Sequence, residues 1–275
     1  MSGLAVRESG PPTAPTVVFL HGVGNTGAMW QGHVEALPDF HCLAPDLPGH
    51  GRSRDVPWVS RGDTADRVIR LIEGLPGGRA HVVGLSLGGS VALEIMARRS
   101  DVLDHVVIDG CGAIGTRLAI VMKLGVAVVS PFIRRTVVGR LVAKAIGITD
   151  PAGVDDLLAQ FRQVDPRSFR RAFSDAQDVR IGEALLRAPC PTMLVAGERE
   201  LAVVRGSNRL LGELLPRAES RMLPGAGHGW LGEAPELHIA MVRSWITAQP
   251  TPPELVPETI ERPHVRIATA PEEHR

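Results

Sequence analysis

Tyrosine is absent from this 275-residue chain, cysteine occurs three times, and aromatic residues make up only 4% of it. Each shortage removes a class of function. Without tyrosine the chain cannot hold the Tyr-x-x-x-Lys pair of a reductase. Cys42, Cys111 and Cys190 are odd in number, far apart and without C-x-x-C spacing. They read as small core hydrophobes of a reducing compartment, not as a disulfide frame or zinc site. Net charge is missing too, because 30 basic residues balance 30 acidic ones, so no global field gathers nucleic acid or an anionic bilayer. Arginine supplies all of the positive charge except Lys123 and Lys144, which reads as a compositional habit. Long apolar runs are also lacking. Residues 1–10 offer no signal-peptide core. The most lipid-like stretch, 118–133, is broken by Lys123 and Pro131 and falls short of the roughly 18 apolar residues of a span. It reads as a buried or surface-docking helix. The expectation is a cytoplasmic protein with no transmembrane segment and no nucleic-acid partner.

What is present is an ordinary globular composition, 44% hydrophobic and 22% charged, on a length that allows one large domain or a domain with an insertion. Short β-branched runs alternate with longer amphipathic stretches. This is the order of an α/β architecture, a mostly parallel central sheet with helices on both faces. Strands are predicted at 16–20, 41–44, 81–83, 106–108, 192–196 and 220–223, and helices near 28–37, 63–75, 88–99, 203–214 and 235–247. Alternation stops between about 112 and 189, where helical periodicity runs on without strands. The expected organisation is a core built from residues 1–111 and 189–248 with a helical insertion at 112–188. Beyond it, six prolines and several glutamates leave too little apolar surface to offset ordering entropy, so 249–275 reads as a disordered or loosely draped tail.

Gly84-Leu85-Ser86-Leu87-Gly88-Gly89 lies directly between a predicted strand and a predicted helix. Gly-x-Ser-x-Gly in that setting is a nucleophile elbow, a strained turn whose flanking glycines let neighbouring backbone pass closely. The bland alternative is a glycine-rich turn that packs helix on sheet. A serine hydroxyl needs a base, and the base needs an orienting carboxylate. Among ten histidines, His228 stands in the small-residue loop 224–230 after the last strand. His238 reads as a surface or packing residue, and His33 has no convergent context. The acid should fall between serine and histidine in chain order, on a loop after a strand. Glu200 is preferred there, with Asp109 and Glu198 as rivals. For an oxyanion the natural donors are the backbone N–H of Val23, in the loop His21-Gly22-Val23-Gly24, and that of Leu87, at the first turn of the helix after the elbow. Trp30 and Trp230 flank these loops and either wall a pocket or simply pack. A competing reading takes Gly22, Gly24 and Gly27 as Gly-x-Gly-x-x-Gly of a dinucleotide fold, with Asp46 about 20 residues further on, but it leaves Ser86 and His228 unexplained.

Taken in order, four blocks make residues 17–246 resemble the α/β-hydrolase fold family: Phe19-Leu20-His21-Gly22, the stretch from Asp46 to Ser53, the elbow at 84–89, and Gly225-Ala226-Gly227-His228. The resemblance implies that Asp46, His50 and Ser53 brace loops near an active site and that 112–188 is a cap roofing it. It also implies that no metal or organic cofactor takes part. The family usually places aspartate where this chain has Glu200. It includes esterases, lactonases, thioesterases, carbon–carbon bond hydrolases, perhydrolases, epoxide hydrolases and haloalkane dehalogenases, besides members that bind without turnover. Epoxide hydrolases and dehalogenases use an aspartate at the elbow, so Ser86 argues against both. Valine- and leucine-rich stretches at 118–129 and 137–148 favour an apolar acyl or alcohol group wherever they face the cleft. The expectation is therefore a serine hydrolase of an ester, lactone or thioester. Its partner is a small to medium, largely apolar small-molecule substrate, and homo-oligomerisation is left open. The alternatives are a non-catalytic ligand-binding protein on the same fold, a carbon–carbon bond hydrolase or a cofactor-free perhydrolase.

Overall fold

A computed structural model describes residues 2–114, 117–145 and 151–258. In chain order the elements are β1 (Val6–Ser9), β2 (Thr16–Leu20), α1 (Gln31–Ala36), β3 (His41–Pro45), α2 (Arg61–Glu73), β4 (Ala80–Leu85), α3 (Leu87–Arg99), β5 (Leu103–Asp109), α4 (Arg117–Val129), α5 (Thr136–Ala145), α6 (Pro151–Arg162), α7 (Pro166–Ala176), α8 (Glu183–Leu186), β6 (Thr192–Gly197), α9 (Ala202–Leu214), β7 (Ala218–Leu223), α10 (Trp230–Glu233), α11 (Pro235–Ile246) and β8 (Val256–Pro257). The strands form one sheet in the order β1-β3-β2-β4-β5-β6-β7-β8. Pairing is parallel from β3 to β7 and antiparallel at both edges.

Alternation along the central strands β2, β4, β5 and β6 explains why the middle of the sheet is buried on both faces. Val18, Leu20, Val82, Val106, Ile108 and Leu194 join one core with residues of α2, α3 and α9. Their neighbours Val17, Phe19, Val83, Val107, Met193 and Val195 join the opposite core with Trp30, Trp230 and the inner face of α11. A continuous apolar strand is what a parallel sheet covered on both sides demands. Helix starts follow from local chemistry: Ser60 Oγ accepts the Asp63 N–H at 3.0 Å and begins α2. The helix predicted at 28–37 is split into a 3₁₀ turn, Gly27–Trp30, and the short α1. The Gly27 N–H is drawn onto Asp46 Oδ1 at 2.7 Å, which tightens that first turn. All three cysteines are buried and unpaired.

Among the described residues, five α-helices, α4 to α8, lie between β5 and β6. They are tied to the sheet domain by polar contacts as well as packing: Ser168 Oγ accepts the Trp58 N–H at 3.0 Å, and Asp175 Oδ2 accepts the Trp58 indole N–H at 2.8 Å. The tail differs from expectation over residues 249–258. Met222 and Val256 pair across β7 and β8, Leu255 is buried, and Ser220 Oγ donates to Glu258 Oε2 at 3.0 Å. An open sheet edge offers unpaired backbone groups, and two residues suffice to cap it. The rest of the expected tail, 259–275, lies outside the described residues. Composition also missed β1, whose Val-Arg-Glu-Ser sequence has no apolar alternation and lies on the opposite edge.

Candidate active site

The reversal of strand order falls between β2 and β4, and the loops that leave the carboxyl ends of strands at such a point form a natural crevice. Ser86 follows β4, Gly110 follows β5, Glu200 lies on the loop after β6, and His228 on the loop after β7. Ser86 has φ +51° and ψ −105°, in the region that side-chain-bearing residues rarely occupy. It is clamped from two directions. Its N–H donates to the Asp109 carbonyl at 2.8 Å, and its own carbonyl accepts from the Ser90 N–H at 3.0 Å. The flanking glycines allow this crowding. A Cβ on Gly84 would lie 2.5 Å from the Gly88 carbonyl carbon, and one on Gly88 would overlap the Leu20 carbonyl. Gly88→Ala should therefore lower stability by about 3 kcal/mol, read as an earlier urea midpoint. An unchanged midpoint would mean that α3 can retreat from β2 at no cost.

Glu200 and His228 meet. Their Oε1 and Nδ1 atoms are 2.6 Å apart, and the carboxylate side chain is 2% exposed while the imidazole is 54% exposed. A buried carboxylate accepting Nδ1–H leaves Nε2 as the nitrogen open to chemistry. The hydrogen bond to Glu200 holds the His228 imidazole above its ordinary 6.5, against the opposing effect of desolvation. Gly110 makes the approach possible: a Cβ there would come within 2.9 Å of both Glu200 Oε1 and His228 Cε1. The Asp109-Gly110 step thus touches both halves of the site, holding Ser86 through the Asp109 carbonyl and bedding the His228–Glu200 pair against Gly110. The rival carboxylates are engaged elsewhere. Glu198 Oε2 accepts the Gly225 N–H at 2.7 Å and so braces the loop that carries His228. Asp109 Oδ1 accepts the Trp230 indole N–H at 3.0 Å, and Asp109 Oδ2 faces His238 Nε2 at 3.4 Å.

Val23 lies in a loop held by neutral histidines. His21 Nδ1–H donates to the Gly22 carbonyl at 2.8 Å, while its Nε2 accepts the Leu47 N–H at 2.9 Å. His50 does the same with the Pro48 carbonyl at 2.9 Å and the Gly24 N–H at 3.2 Å. Burial pushes His21 down to about 3 and His50 to about 4, so both stay uncharged and each ring nitrogen keeps its donor or acceptor role. Asp46 divides its oxygens between the Gly27 and Arg52 N–H groups at 2.7 and 2.9 Å, and Ser53 Oγ accepts the Ala5 N–H at 2.9 Å. The carboxylate that a dinucleotide reading would give to a ribose is therefore occupied by the same glycine motif. Leu87, the first residue of α3, directly follows Ser86.

Sequence reasoning missed a buried polar chain beneath this rim. His33 Nε2 and His238 Nδ1 are 2.7 Å apart, His238 is fully buried, and beyond it stand Asp109 and Trp230. Burial, then the neighbouring His238, pushes His33 down to about 3. The signal was available in the spacing, since position 238 shares the core face of α11 with Met241 and Val242. Trp30 and Trp230 are both fully buried, so they pack.

Residues 17–240 match the model of the Alpha/beta hydrolase family. A protein of Mycobacterium tuberculosis is 25% identical over 268 residues, covering 86% of this chain and 77% of its own. Among solved structures, a thermophilic esterase from Thermogutta terrifontis superposes with a TM-score of 0.75 at 22% identity, covering 89% of this chain and 93% of that one. The enol-lactonase from Burkholderia xenovorans gives 0.77 at 22% identity, with 89% and 96% covered. At that identity the two structures speak for the fold.

Proposed function

The chain belongs to the alpha/beta hydrolase family, and from that premise we propose that it is a serine hydrolase forming an acyl-enzyme on Ser86. The observation that carries the reading is the 2.6 Å bond between Glu200 and His228, on the rim where Ser86 stands in its strained turn. Ser86 Oγ attacks the substrate carbonyl while His228 Nε2 takes the hydroxyl proton. Glu200 holds the Nδ1–H tautomer and stabilises the imidazolium that forms. The Val23 and Leu87 N–H groups receive the developing oxyanion, the latter aided by the positive end of α3. His228 then returns its proton to the leaving group, and water, activated by the same imidazole, releases the acid. Residues 112–188 serve as a cap, since their small core of Phe161 and Phe169 rests on Val23 and Gly24. That apolar roof favours an ester, lactone or thioester of a small to medium, largely apolar acid or alcohol. A panel of activated esters of increasing acyl length should give a product burst stoichiometric with enzyme. Folded protein without burst or turnover on any member would defeat the reading.

The pH dependence follows from His228. A general base must be neutral, and Glu200 raises its pKa, so kcat/KM should fall on the acid side with a midpoint above 6.5. Glu200→Gln removes the main upward influence and leaves desolvation, so the residual activity should show its midpoint moved downward. A profile flat from about pH 5 to pH 8 would be inconsistent with a histidine base.

A further inference from the structure

Between Asp109 and Asp150 the chain has no acidic residue, yet this segment holds Arg117, Lys123, Arg134, Arg135, Arg140 and Lys144, including both of its lysines. All 30 acidic residues lie elsewhere. A zero net charge therefore hides one strongly cationic segment set against a net-negative remainder.

Exposed apolar side chains gather in the same segment. Of the eleven exposed large hydrophobics among the described residues, eight fall here. Ile120, Val121, Leu124 and Val128 follow i, i+1, i+4, i+8 spacing, so they share one face of α4, at 60 to 71% exposure. Phe132 projects from the turn Ser130–Phe132, and Val137 and Leu141 are 71% and 64% exposed on α5. Arg140 and Lys144 are exposed at the same helical phase as Val137 and Leu141. The opposite faces are already satisfied: Val126, Val129, Val142 and Ala143 pack with Leu157, Phe161 and Phe169. The outer faces are thus surplus to folding.

Helix α5 presents Val137 and Leu141 beside Arg140 and Lys144, and α4 extends the aliphatic face while its Lys123 is held by Asp178 at 2.6 Å. Aliphatic side chains flanked by such cations have the chemistry of a segment lying in the lipid headgroup layer, chains inward and cations on the phosphates. A second copy of the chain is the other candidate cover. A two-fold contact through this face would set two acid-free cationic segments against each other, which like-charge repulsion opposes. No helix among the described residues is long and apolar enough to cross a membrane, so contact would be peripheral.

We propose that α4, the Ser130–Phe132 turn and α5 form a docking face for an anionic lipid surface. The experiment is sedimentation of the purified full-length chain with vesicles of phosphatidylcholine alone or mixed equally with phosphatidylglycerol. Binding is expected to the mixed vesicles, weak on the neutral ones, and reduced by salt. Val128→Glu with Leu141→Glu should lower partitioning by about tenfold or more. Arg140→Gln with Lys144→Gln should lower it by about tenfold on anionic vesicles only. All four positions are exposed, and an unchanged melting temperature will establish that the variants remain folded. Ser86→Ala protein should bind as the parent does, which separates this proposal from the catalytic reading. Three results would overturn it: no binding to mixed vesicles, undiminished binding of the glutamate variant, or a concentration-dependent dimer that the glutamates abolish in the absence of vesicles.

Discussion

Ser86→Ala is expected to abolish covalent capture by a fluorophosphonate and to reduce turnover of activated esters by roughly 10⁶-fold, since nucleophile and base act as a unit. Folding should survive. Alanine carries the same Cβ into the φ +51° turn, and the two backbone hydrogen bonds that clamp the residue, to Asp109 and Ser90, do not involve the hydroxyl. The loss would therefore report on Oγ alone. Intact-mass spectrometry of the parent should show one adduct per chain, and His228→Ala should suppress it as fully as Ser86→Ala, because an unassisted serine is a weak nucleophile. A parent protein that stays unmodified at neutral pH, or a Ser86→Ala protein that is still labelled, would remove the acyl-enzyme from consideration. The residual activity of the variant also has a meaning. Whatever remains above the uncatalysed rate belongs to the Val23 and Leu87 N–H groups and to binding, so a second loss on crowding the oxyanion loop would support that assignment.

The strained turn at Ser86 was legible because Gly-x-Ser-x-Gly stands directly between a strand and a helix. Leu85-Ser86-Leu87 needs Gly84 and Gly88 for reasons of space that hold within a few residues, and local constraints can be read from local sequence. The parallel core was equally plain, since runs such as Val17 to Leu20 are apolar without a break and demand cover on two faces. What could not be read was which buried polar groups of distant segments meet beneath the rim. The bond between Asp109 and Trp230 spans 121 positions and that between His33 and His238 spans 205. Nothing in either neighbourhood announces its partner. The edge strands were hidden for a different reason. Val256–Pro257 is a strand only because β7 leaves an open edge, and its own composition resembles a linker. The distribution of charge was visible throughout, yet the whole-chain total conceals it; only the surface exposure of α4 and α5 gives the acid-free segment a physical consequence.

Glu200→Gln should lower kcat by about 10⁴-fold, the scale reached when a triad carboxylate becomes neutral but keeps its shape. Glutamine preserves volume in a site that is 6% exposed. Its amide, however, can present N–H to His228 Nδ1 and so stabilise the tautomer whose proton sits on Nε2, the nitrogen that must be free to accept one. Glu200→Asp tests the same bond by length. It keeps the charge, but its carboxylate starts about 1.5 Å further back, so activity should fall less than in glutamine and the acid limb should remain above that of Glu200→Gln. Asp109→Asn is the control with the opposite expectation. An asparagine Oδ1 can still accept the Trp230 indole N–H, and the hydrogen bond between Glu200 and His228 is untouched. Turnover should stay within about tenfold of the parent. Stability should drop instead, because the buried His238 would lose its facing carboxylate. The ratio of the two effects decides which carboxylate orients the base: a severe Asp109→Asn together with a mild Glu200→Gln would move the acid from the loop after β6 to the end of β5, and the hydrogen bond seen at 2.6 Å would then be a loop brace.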